Sequence, residues 1–358
     1  MMPGTDMIES NTENASPRAG TLPATDARCA SDVDSDTLVK VEGLSVDLPR
    51  RREATRLVDG VSFTIKRNEK VALVGESGSG KSVTARALMR LNPKLRLAGR
   101  VLVDGIEVLG LPERKLGSVR GKRIGMAFQD AFTSLDPIMP VGEQLIEALV
   151  VQGVSRGEAR VRAVRLLAEL GVSHAEGRMK AYVHEFSGGM RQRVVLAMAL
   201  ICEPRLLIAD EPTTALDVRI AQQVLDVLDD VAARRELAVL LITHDMGVVA
   251  SFAERVLVMY SGRIVEDAQV DALFERPIHP YTEGLLAAVP RVDRTVERLA
   301  AVQGSPVAPG ERPAGCAFHP RCAAATDVCR GVVPPLRTFG ARRIACHHAE
   351  ERGASDAV

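Results

Sequence analysis

The segment "GESGSGKS", Gly75–Ser82, decides the fold of this 358-residue chain. It matches the pattern G-x-x-x-x-G-K-[ST] and lies between the apolar run "KVALV" (70–74) and "SVTARALMRL", which predicts a helix. Glycines allow backbone amides to face an anion closely, and the start of a helix adds partial positive charge. The order of strand, loop and helix predicts a phosphate-binding loop. It disfavours the alternative, a glycine-rich turn that binds no nucleotide.

Two carboxylates follow another predicted strand. The run "LLIADEP" (206–212) is apolar until Asp210 and Glu211. Ligands collect at the carboxyl ends of strands in open α/β sheets, so we expect Asp210 to hold Mg²⁺ through water and Glu211 to polarise the attacking water. Taken alone, the segment is equally well explained as a solvated strand end. The phosphate loop makes the catalytic interpretation the favoured one.

A second anion-binding helix start is predicted at "EFSGGMRQR" (185–193). Ser187 is a suitable N-cap, the two glycines expose backbone amides, and an apolar periodic helix follows. A capped helix without a ligand is the alternative for this motif by itself.

The rest of the chain predicts an α/β fold. Strand-like and helical runs alternate from Leu38 onward, which indicates a right-handed parallel sheet interrupted by a helical insertion. Residues 1–36 are rich in Ser, Thr, Asp and Pro without apolar periodicity, and we expect them to be disordered. Beyond about Phe274 the composition shifts to Pro, Arg, His and Cys, which predicts a separate C-terminal appendix.

Composition narrows the classes of function. Acidic and basic residues balance at 46 each, so no overall field attracts nucleic acid or an anionic membrane. The longest apolar run, Val194–Ile201, is far shorter than the ~20 residues of a membrane span, and the first thirty residues contain no secretory apolar segment. We therefore expect a soluble, cytoplasmic chain. Thiols stay reduced in that compartment, so clustered cysteines favour ligands or redox groups over disulfides.

Five motifs in one order resemble the nucleotide-binding subunit of an ABC transporter. They are the phosphate loop, "FQD" (128–130), "FSGGMRQR" (186–193), "LLIADEPTTALD" (206–217) and "LLITHD" (240–245). The resemblance covers about residues 37–275, with a helical insertion at about 130–188. It implies a P-loop NTPase (RecA-like) core with an antiparallel β subdomain.

The resemblance also implies roles for single residues. The ATP-binding set is Gly75, Glu76, Ser77, Gly78, Ser79, Gly80, Lys81, Ser82 and Val83. The catalytic set is Glu211, His244 and Gln129, and the Mg²⁺ ligands are Ser82, Gln129 and Asp210. The signature residues that clamp ATP held by a facing subunit are Ser187, Gly188 and Gly189, and the loop crossing the dimer interface ends at Asp217. Two positions depart from the family pattern: Met190 replaces the usual Gln, and Leu48 replaces the adenine-stacking aromatic.

The C-terminal part, with "HPYTEGLL", "GCAFHPRCAAATDVCR" and "RRIACHH", resembles the extension of oligopeptide/dipeptide ABC importers. We place this domain at 276–350, followed by a tail at 351–358. The resemblance implies that Cys316, Cys322, Cys329 and Cys346 bind a [4Fe–4S] cluster. Their C-x5-C-x6-C-x16-C spacing lacks the C-x2-C pairs of zinc sites, yet zinc, supported by nearby histidines, and free thiols stay open. A structural role is favoured over redox sensing.

The resemblance implies partners and location as well. ATP and Mg²⁺ are the expected cofactors. A second ABC ATPase subunit, two transmembrane permease subunits and an extracytoplasmic substrate-binding protein are the expected partners, and the chain would lie on the cytoplasmic face of the inner membrane. Dipeptides or oligopeptides are the expected cargo, with nickel complexes an open alternative. A soluble ABC ATPase acting on nucleic acid or ribosomes is disfavoured by the single set of motifs and the neutral charge.

Overall fold

The structure is a computed structural model that describes residues 35–51, 53–129, 134–214, 216–289, 302–308 and 310–354. Residues 1–36, which we predict to be disordered, lie outside these ranges except for the last two. Asp130 of the "FQD" motif also lies outside them. No helix in the described part of the chain combines the length and the apolar composition that a membrane crossing requires.

The strands form two sheets. In chain order the strands are β1 (Thr37–Leu48), β2 (Thr55–Lys66), β3 (Lys70–Val74), β4 (Arg96–Val103), β5 (Ile106–Glu107), β6 (Ile124–Ala127), β7 (Leu206–Asp210), β8 (Ala238–Thr243), β9 (Arg255–Tyr260), β10 (Arg263–Gln269), β11 (Arg337–Phe339) and β12 (Arg342–Ile344). The larger sheet has the order β11-β12-β10-β9-β3-β8-β7-β6, and the smaller sheet has the order β2-β1-β4-β5.

The larger sheet contains the predicted parallel core. Strands β9, β3, β8, β7 and β6 run parallel to one another. Every residue of β7 and β8 is buried, as expected for a parallel sheet that is covered on both faces. Strand β8 lies between β3 and β7, so the loops that follow these three strands leave the same edge of the sheet side by side. The site is built on that edge.

The smaller sheet is antiparallel, which confirms the predicted β subdomain. Residues of β1 and β2 alternate between buried and partly exposed positions, because only one face of such a sheet packs on the core. Buried side chains from both sheets, including Val39 and Phe63 of the smaller sheet and Leu73 and Leu257 of the larger, share one apolar cluster. The β subdomain is thus packed directly against the strand that leads into the phosphate loop.

The helices surround the larger sheet and fill the insertion. They are α1 (Lys81–Ala87), α2 (Val141–Val150), α3 (Arg156–Glu169), α4 (Ala175–Arg178), α5 (Gly188–Leu200), α6 (Val218–Arg235), α7 (Met246–Phe252), α8 (Val270–Glu275), α9 (Pro280–Ala287), α10 (Asp327–Gly331) and α11 (Ala349–Ala354). The predicted helical insertion, at about 130–188, contains α2–α4, and α5 follows it before β7. These helices share a core in which Leu145, Leu166 and Val194 are buried together with Leu207 of β7.

The C-terminal region extends the larger sheet, whereas the sequence suggested a separate appendix. Strand β12 pairs antiparallel with β10, with Glu266 opposite Ile344, and β11 adds the edge strand. An aromatic cluster lies beneath this edge: Tyr260 and Tyr281 have ring centroids 4.7 Å apart, and Phe318 lies 5.2 Å from Tyr260. Composition could reveal the change of sequence type at this boundary, but not the pairing of strands across it.

Candidate functional site

The phosphate loop connects β3 to α1 and depends on glycine at two crowded positions. Gly75 has a φ of +154°, and a Cβ there would lie 2.2 Å from the carbonyl oxygen of Met259. Gly80, the N-cap of α1, has a φ of +105° and lies close to the backbone of Leu57. A side chain at either position would be strained, so the glycines of the motif are explained by close packing as well as by access to phosphate.

Lys81 is buried inside the loop. Its Nζ donates to the carbonyl oxygens of Gly75 and Glu76 over 2.7 and 3.0 Å. Burial lowers the pKa of Lys81, while the nearby carboxylates of Glu211 and Asp210 favour its charged form. An ammonium group that its neighbouring carboxylates help to keep charged can attract the polyanionic end of a nucleotide.

Asp210 is the last residue of β7, and its two carboxylate oxygens differ in their contacts. Ser82 Oγ donates to Oδ1 over 2.8 Å, whereas Oδ2 is buried and accepts no hydrogen bond from the described residues. Burial raises the pKa of Asp210, with Arg86, 3.7 Å from Oδ2, acting in the opposite direction. A buried carboxylate oxygen beside a serine hydroxyl supplies the hard oxygen donors that Mg²⁺ prefers. The residues present therefore fit a magnesium ion.

Two predicted catalytic side chains, Gln129 and His244, converge on the third, Glu211. Gln129 Nε2 donates to Oε2 of Glu211 over 2.8 Å, and Nδ1 of His244 lies 3.3 Å from Oε1. Thr214, which the sequence analysis did not select, donates from Oγ1 to Oε2 over 2.9 Å. Glu211 itself has a φ of +50°, a costly backbone conformation for a side-chain-bearing residue. The carboxylate is thus held in one place by neighbours from three separate loops.

Two clefts are lined by the phosphate loop and by side chains around Glu211. One, of about 240 Å³, is lined by Leu57, the phosphate loop, Gln129 and Glu211. The other, of about 430 Å³, is lined by the start of the loop, Gln129, Glu211, His244 and Leu285. Leu57 and Leu285 were not predicted, since neither belongs to a motif that carries polar chemistry. The predicted position for adenine contact, Leu48, ends β1 and does not line either cleft.

The signature residues occupy a different place. Ser187 N-caps α5, and its Oγ accepts from the backbone N–H of Met190 over 3.4 Å, which confirms the predicted cap. Asp217 N-caps α6 by accepting from Ile220 N over 2.9 Å. A Cβ at Gly189 would lie 2.5 Å from Cγ2 of Ile220, so the two helix starts are adjacent. Of the described residues, those lining the two clefts do not include Ser187, Gly188 or Gly189.

The four C-terminal cysteines lie in one region. Cys329 and Cys346 are buried, and Cys316 and Cys322 are half-buried. Burial, together with a smaller contribution from the other three thiols, raises the pKa of Cys316 to about 11. Nε2 of His348 lies 3.6 Å from Cys329 Sγ.

None of the five cysteines that the structure describes is in a disulfide. Within those same residues, no three His, Cys, Asp or Glu side chains are arranged to hold a metal ion. Cys202, the fifth cysteine, follows the end of α5 and lies 3.7 Å from the carbonyl oxygen of Ala148.

Comparison with known proteins gives two family matches. The ABC transporter model matches residues 58–214, which include the phosphate loop and both predicted carboxylates. The model of the oligopeptide/dipeptide transporter C-terminal region matches residues 265–329, so this second match begins within β10. It ends at Cys329, before β11 and β12.

Similar proteins are known from bacteria. The chain is 46% identical to the oligopeptide transport ATP-binding protein AppD of Bacillus subtilis over 89% of this chain and 98% of that protein. It is 45% identical to the oligopeptide transport ATP-binding protein OppD of Salmonella typhimurium over 87% of this chain and 93% of that protein.

A solved structure is similar as well. It is a dimeric, post-hydrolysis state of the ATP-binding cassette MJ0796 bound to ADP and Pi, which aligns with a TM-score of 0.59 and 27% identity over 65% of this chain and 98% of the other. The motifs, the fold and these similarities agree: the chain belongs to the oligopeptide transport ATP-binding proteins of the ABC transporter family, which are ATPases coupled to transport.

Proposed function

We propose that the chain binds Mg·ATP on residues 75–83 and hydrolyses it to drive import of dipeptides or oligopeptides. The observation that carries this proposal is the convergence of Gln129, Glu211 and His244 at the mouth of the phosphate loop. Glu211 polarises the attacking water, Gln129 orients it, and His244 contacts the γ-phosphate. Phosphoryl transfer needs positioning and charge stabilisation more than covalent help, and these fixed side chains provide both.

Ser82, Asp210 and Gln129 are the residues that would hold Mg²⁺. When bound, the ion neutralises charge on the β- and γ-phosphate oxygens. The unused buried oxygen of Asp210 supports this assignment, because such an atom is costly to leave without a partner. Lys81 would add a second positive charge at the phosphates.

A second ATPase subunit would complete the site. The amides at Ser187, Gly188 and Gly189 lie outside the chain's own clefts and at a helix start, where an anion is favoured. We assign them to the ATP of a facing subunit, of the same or a related sequence, with Asp217 in the contact between the two. Two permease subunits and an extracytoplasmic binding protein would complete the importer, and the ATPase would lie on the cytoplasmic face of the inner membrane.

Reconstitution tests this function. We expect proteoliposomes that contain the chain, its partner ATPase and two permease subunits to hydrolyse ATP faster when peptide-loaded binding protein is added. Labelled peptide should enter these proteoliposomes when ATP is supplied. The matched control is the same assembly with Lys81→Ala in this chain, in which both signals should fall. ATP hydrolysis without peptide uptake would reject the cargo assignment and leave the ATPase assignment intact.

We also propose that Cys316, Cys322, Cys329 and Cys346 bind a [4Fe–4S] cluster, in preference to a single zinc ion. Four thiols share one region, and Cys316 interacts electrostatically with each of the others. A zinc ion needs four donors converging on one point, whereas a cluster takes four thiolates spread around a larger group. The C-x5-C-x6-C-x16-C spacing lacks the C-x2-C pairs typical of zinc sites, which favours the cluster.

Anaerobic purification tests the cysteine site. Broad absorption in the visible region with about four iron atoms per chain is expected, and Cys329→Ser should abolish it while Cys202→Ser should not. Stoichiometric zinc with no visible absorption would contradict the cluster. Comparing ATPase rates before and after reduction of the intact protein separates a regulatory site from a structural one.

A further inference from the structure

Glu76, the second residue of the phosphate loop, is held by two residues far along the chain. Nη1 and Nη2 of Arg321 donate to Oε2 and Oε1 of Glu76 over 2.6 and 2.9 Å. The backbone N–H of Glu76 donates to Tyr281 Oη over 2.8 Å. These partners lie 245 and 205 positions away in sequence, in the C-terminal region. One loop residue is thus fixed at both side chain and backbone from outside the ATPase motifs.

Arg321 is itself fixed in place. Its side chain is only 4% exposed, and its guanidinium carbon lies 5.8 and 5.9 Å from the ring centroids of Tyr260 and Phe318. Its Nε donates to the carbonyl oxygen of Gln303 over 2.8 Å. A bidentate arginine–carboxylate pair is geometrically specific, and a buried guanidinium left without its counterion is strongly unfavourable. The pair therefore holds Glu76 in one position.

The position of Glu76 sets the positions of other loop residues. Its carbonyl oxygen accepts hydrogen bonds from Lys81 Nζ over 3.0 Å and from Ser79 N over 3.1 Å. Lys81 is the residue assigned to the phosphates, and the backbone around Ser79 forms the middle of the cradle. A displacement of Glu76 would move the acceptor on which both depend.

The C-terminal region does not need this contact to stay attached. Arg343 of β12 donates to Asp267 Oδ2 through Nη2 over 2.6 Å, and β12 is paired with β10. These contacts lie on the sheet edge and do not involve the phosphate loop. Loss of the Arg321–Glu76 pair alone should leave the region docked while releasing the loop.

We propose that Arg321, together with Tyr281, is a positioning residue for ATP binding. It acts through Glu76 to hold the phosphate loop in the geometry that receives the nucleotide. The inference rests on the proposed role of residues 75–83 and extends it to a region that contributes no recognised nucleotide motif. Because Arg321 directly precedes Cys322, the same turn (His319–Arg321) connects the loop contact with the cysteine region.

Equilibrium binding of a fluorescent ATP analogue to the full-length chain, with Mg²⁺ present, tests this inference. We expect Arg321→Met to raise the Kd about tenfold, which corresponds to about 1.4 kcal/mol. Arg321→Lys should recover only part of the affinity, since lysine keeps the charge but loses the two-pronged geometry. In a double-mutant cycle, Arg321→Met should add little once Glu76→Gln is present, because both changes remove the same pair.

Arg343→Met is the matched control, since it removes another C-terminal arginine from an ion pair without touching the loop. It should lower the unfolding midpoint and leave the Kd unchanged. A Kd for Arg321→Met within twofold of wild type, or an equal rise in Arg343→Met, would overturn the inference. If Arg321→Met fails to fold, Tyr281→Phe, which removes only the hydroxyl, should still raise the Kd by a few-fold, and no rise would likewise overturn it. Wild-type protein that binds no ATP would instead reject the proposed function itself.

Discussion

The nucleotide site and the C-terminal region are stabilised in different ways. The nucleotide site stands at the ends of β3, β7 and β8, whose buried apolar residues fix the backbone before any polar group is placed. The C-terminal region has short strands and helices, and it is joined to the sheet edge by the pairing of β12 and by ion pairs of Asp267. In the first region the polar side chains line the clefts while apolar strands support the fold, whereas in the second polar contacts help to hold the structure together.

This difference predicts which changes affect chemistry and which affect folding. In the nucleotide site, a change of one polar side chain should alter catalysis with little loss of stability, because the apolar strands remain. In the C-terminal region, a comparable change should destabilise the fold, because buried ion pairs join its short strands to the sheet edge. Variants at Glu211, Asp267 and His279 test that contrast.

Glu211→Gln should lower kcat for ATP hydrolysis by about 10² to 10⁴. The amide keeps the shape of the carboxylate and can still accept from Gln129 and Thr214, but it cannot polarise water as a base does. ATP affinity should stay within a few-fold of wild type, and the unfolding midpoint should be almost unchanged. Steady-state phosphate release with the partner ATPase, together with nucleotide binding, measures both quantities.

Glu236→Gln is the control for that experiment, since Glu236 is an exposed carboxylate at the end of α6, away from the clefts. It should leave kcat unaltered. A Glu211→Gln protein with more than a tenth of the wild-type kcat would show that Glu211 is not the group that activates water.

Asp267→Ala should lower the free energy of unfolding by about 3 kcal/mol, because it removes the buried carboxylate that accepts hydrogen bonds from two arginines. Asp267 is 4% exposed and accepts hydrogen bonds from Arg255 on β9 and from Arg343 on β12. Asp267, which lies on β10, therefore links three strands at the edge of the sheet. Urea denaturation followed by circular dichroism measures the loss.

Arg330→Ala provides the comparison, because its pair with Asp327 joins side chains that are 70% and 106% exposed. Exposed pairs contribute little, so this variant should unfold almost as wild type does. Equal destabilisation by the two variants would show that burial of charge is not what distinguishes this edge.

Sequence predicted the nucleotide site well because its chemistry lies in contiguous motifs. The cap at Ser187 and the strand before Asp210 follow from a few neighbouring residues, and the structure places them as expected. The insertion of β8 between β3 and β7 could not be derived in the same way, since strand order depends on packing across the whole sheet. Convergence of Gln129 and His244 on Glu211 is a consequence of that order.

The C-terminal region was less predictable for a physical reason. Its composition marked a boundary near Phe274, but composition carries no record of which strand edge the region would cover. Tyr281 stands in the conspicuous segment "HPYTEGLL", yet its contact with Glu76 spans 205 positions. Only two of the three tyrosines and one phenylalanine form the aromatic cluster there, too few to give a periodic pattern.

His279 gives the smallest predicted effect and a distinctive dependence on pH. The ring is buried, and its Nδ1 accepts from Tyr281 N over 3.1 Å at the start of α9. Burial, assisted by Arg352, lowers the pKa of His279 from 6.5 to about 3, while Glu266 faces its backbone N–H.

The unfolded chain would therefore bind a proton at His279 below about pH 6.5, but the folded protein would not do so until about pH 3. Stability should decrease as the pH falls through that window, with this residue accounting for about 2 kcal/mol between pH 7 and pH 5.

His279→Asn keeps an acceptor for the helix start and removes the titration. Urea denaturation at pH 7 and pH 5 should show a difference in unfolding free energy that is about 2 kcal/mol smaller in this variant than in wild type. Arg352 also faces the ring, so Arg352→Met in the wild-type background identifies its share of the depressed pKa. If the unfolding free energy changes between pH 7 and pH 5 by the same amount in His279→Asn as in wild type, another group causes the acid sensitivity. A smaller change in His279→Asn would show that this edge of the molecule, unlike the nucleotide site, depends on a polar group staying neutral.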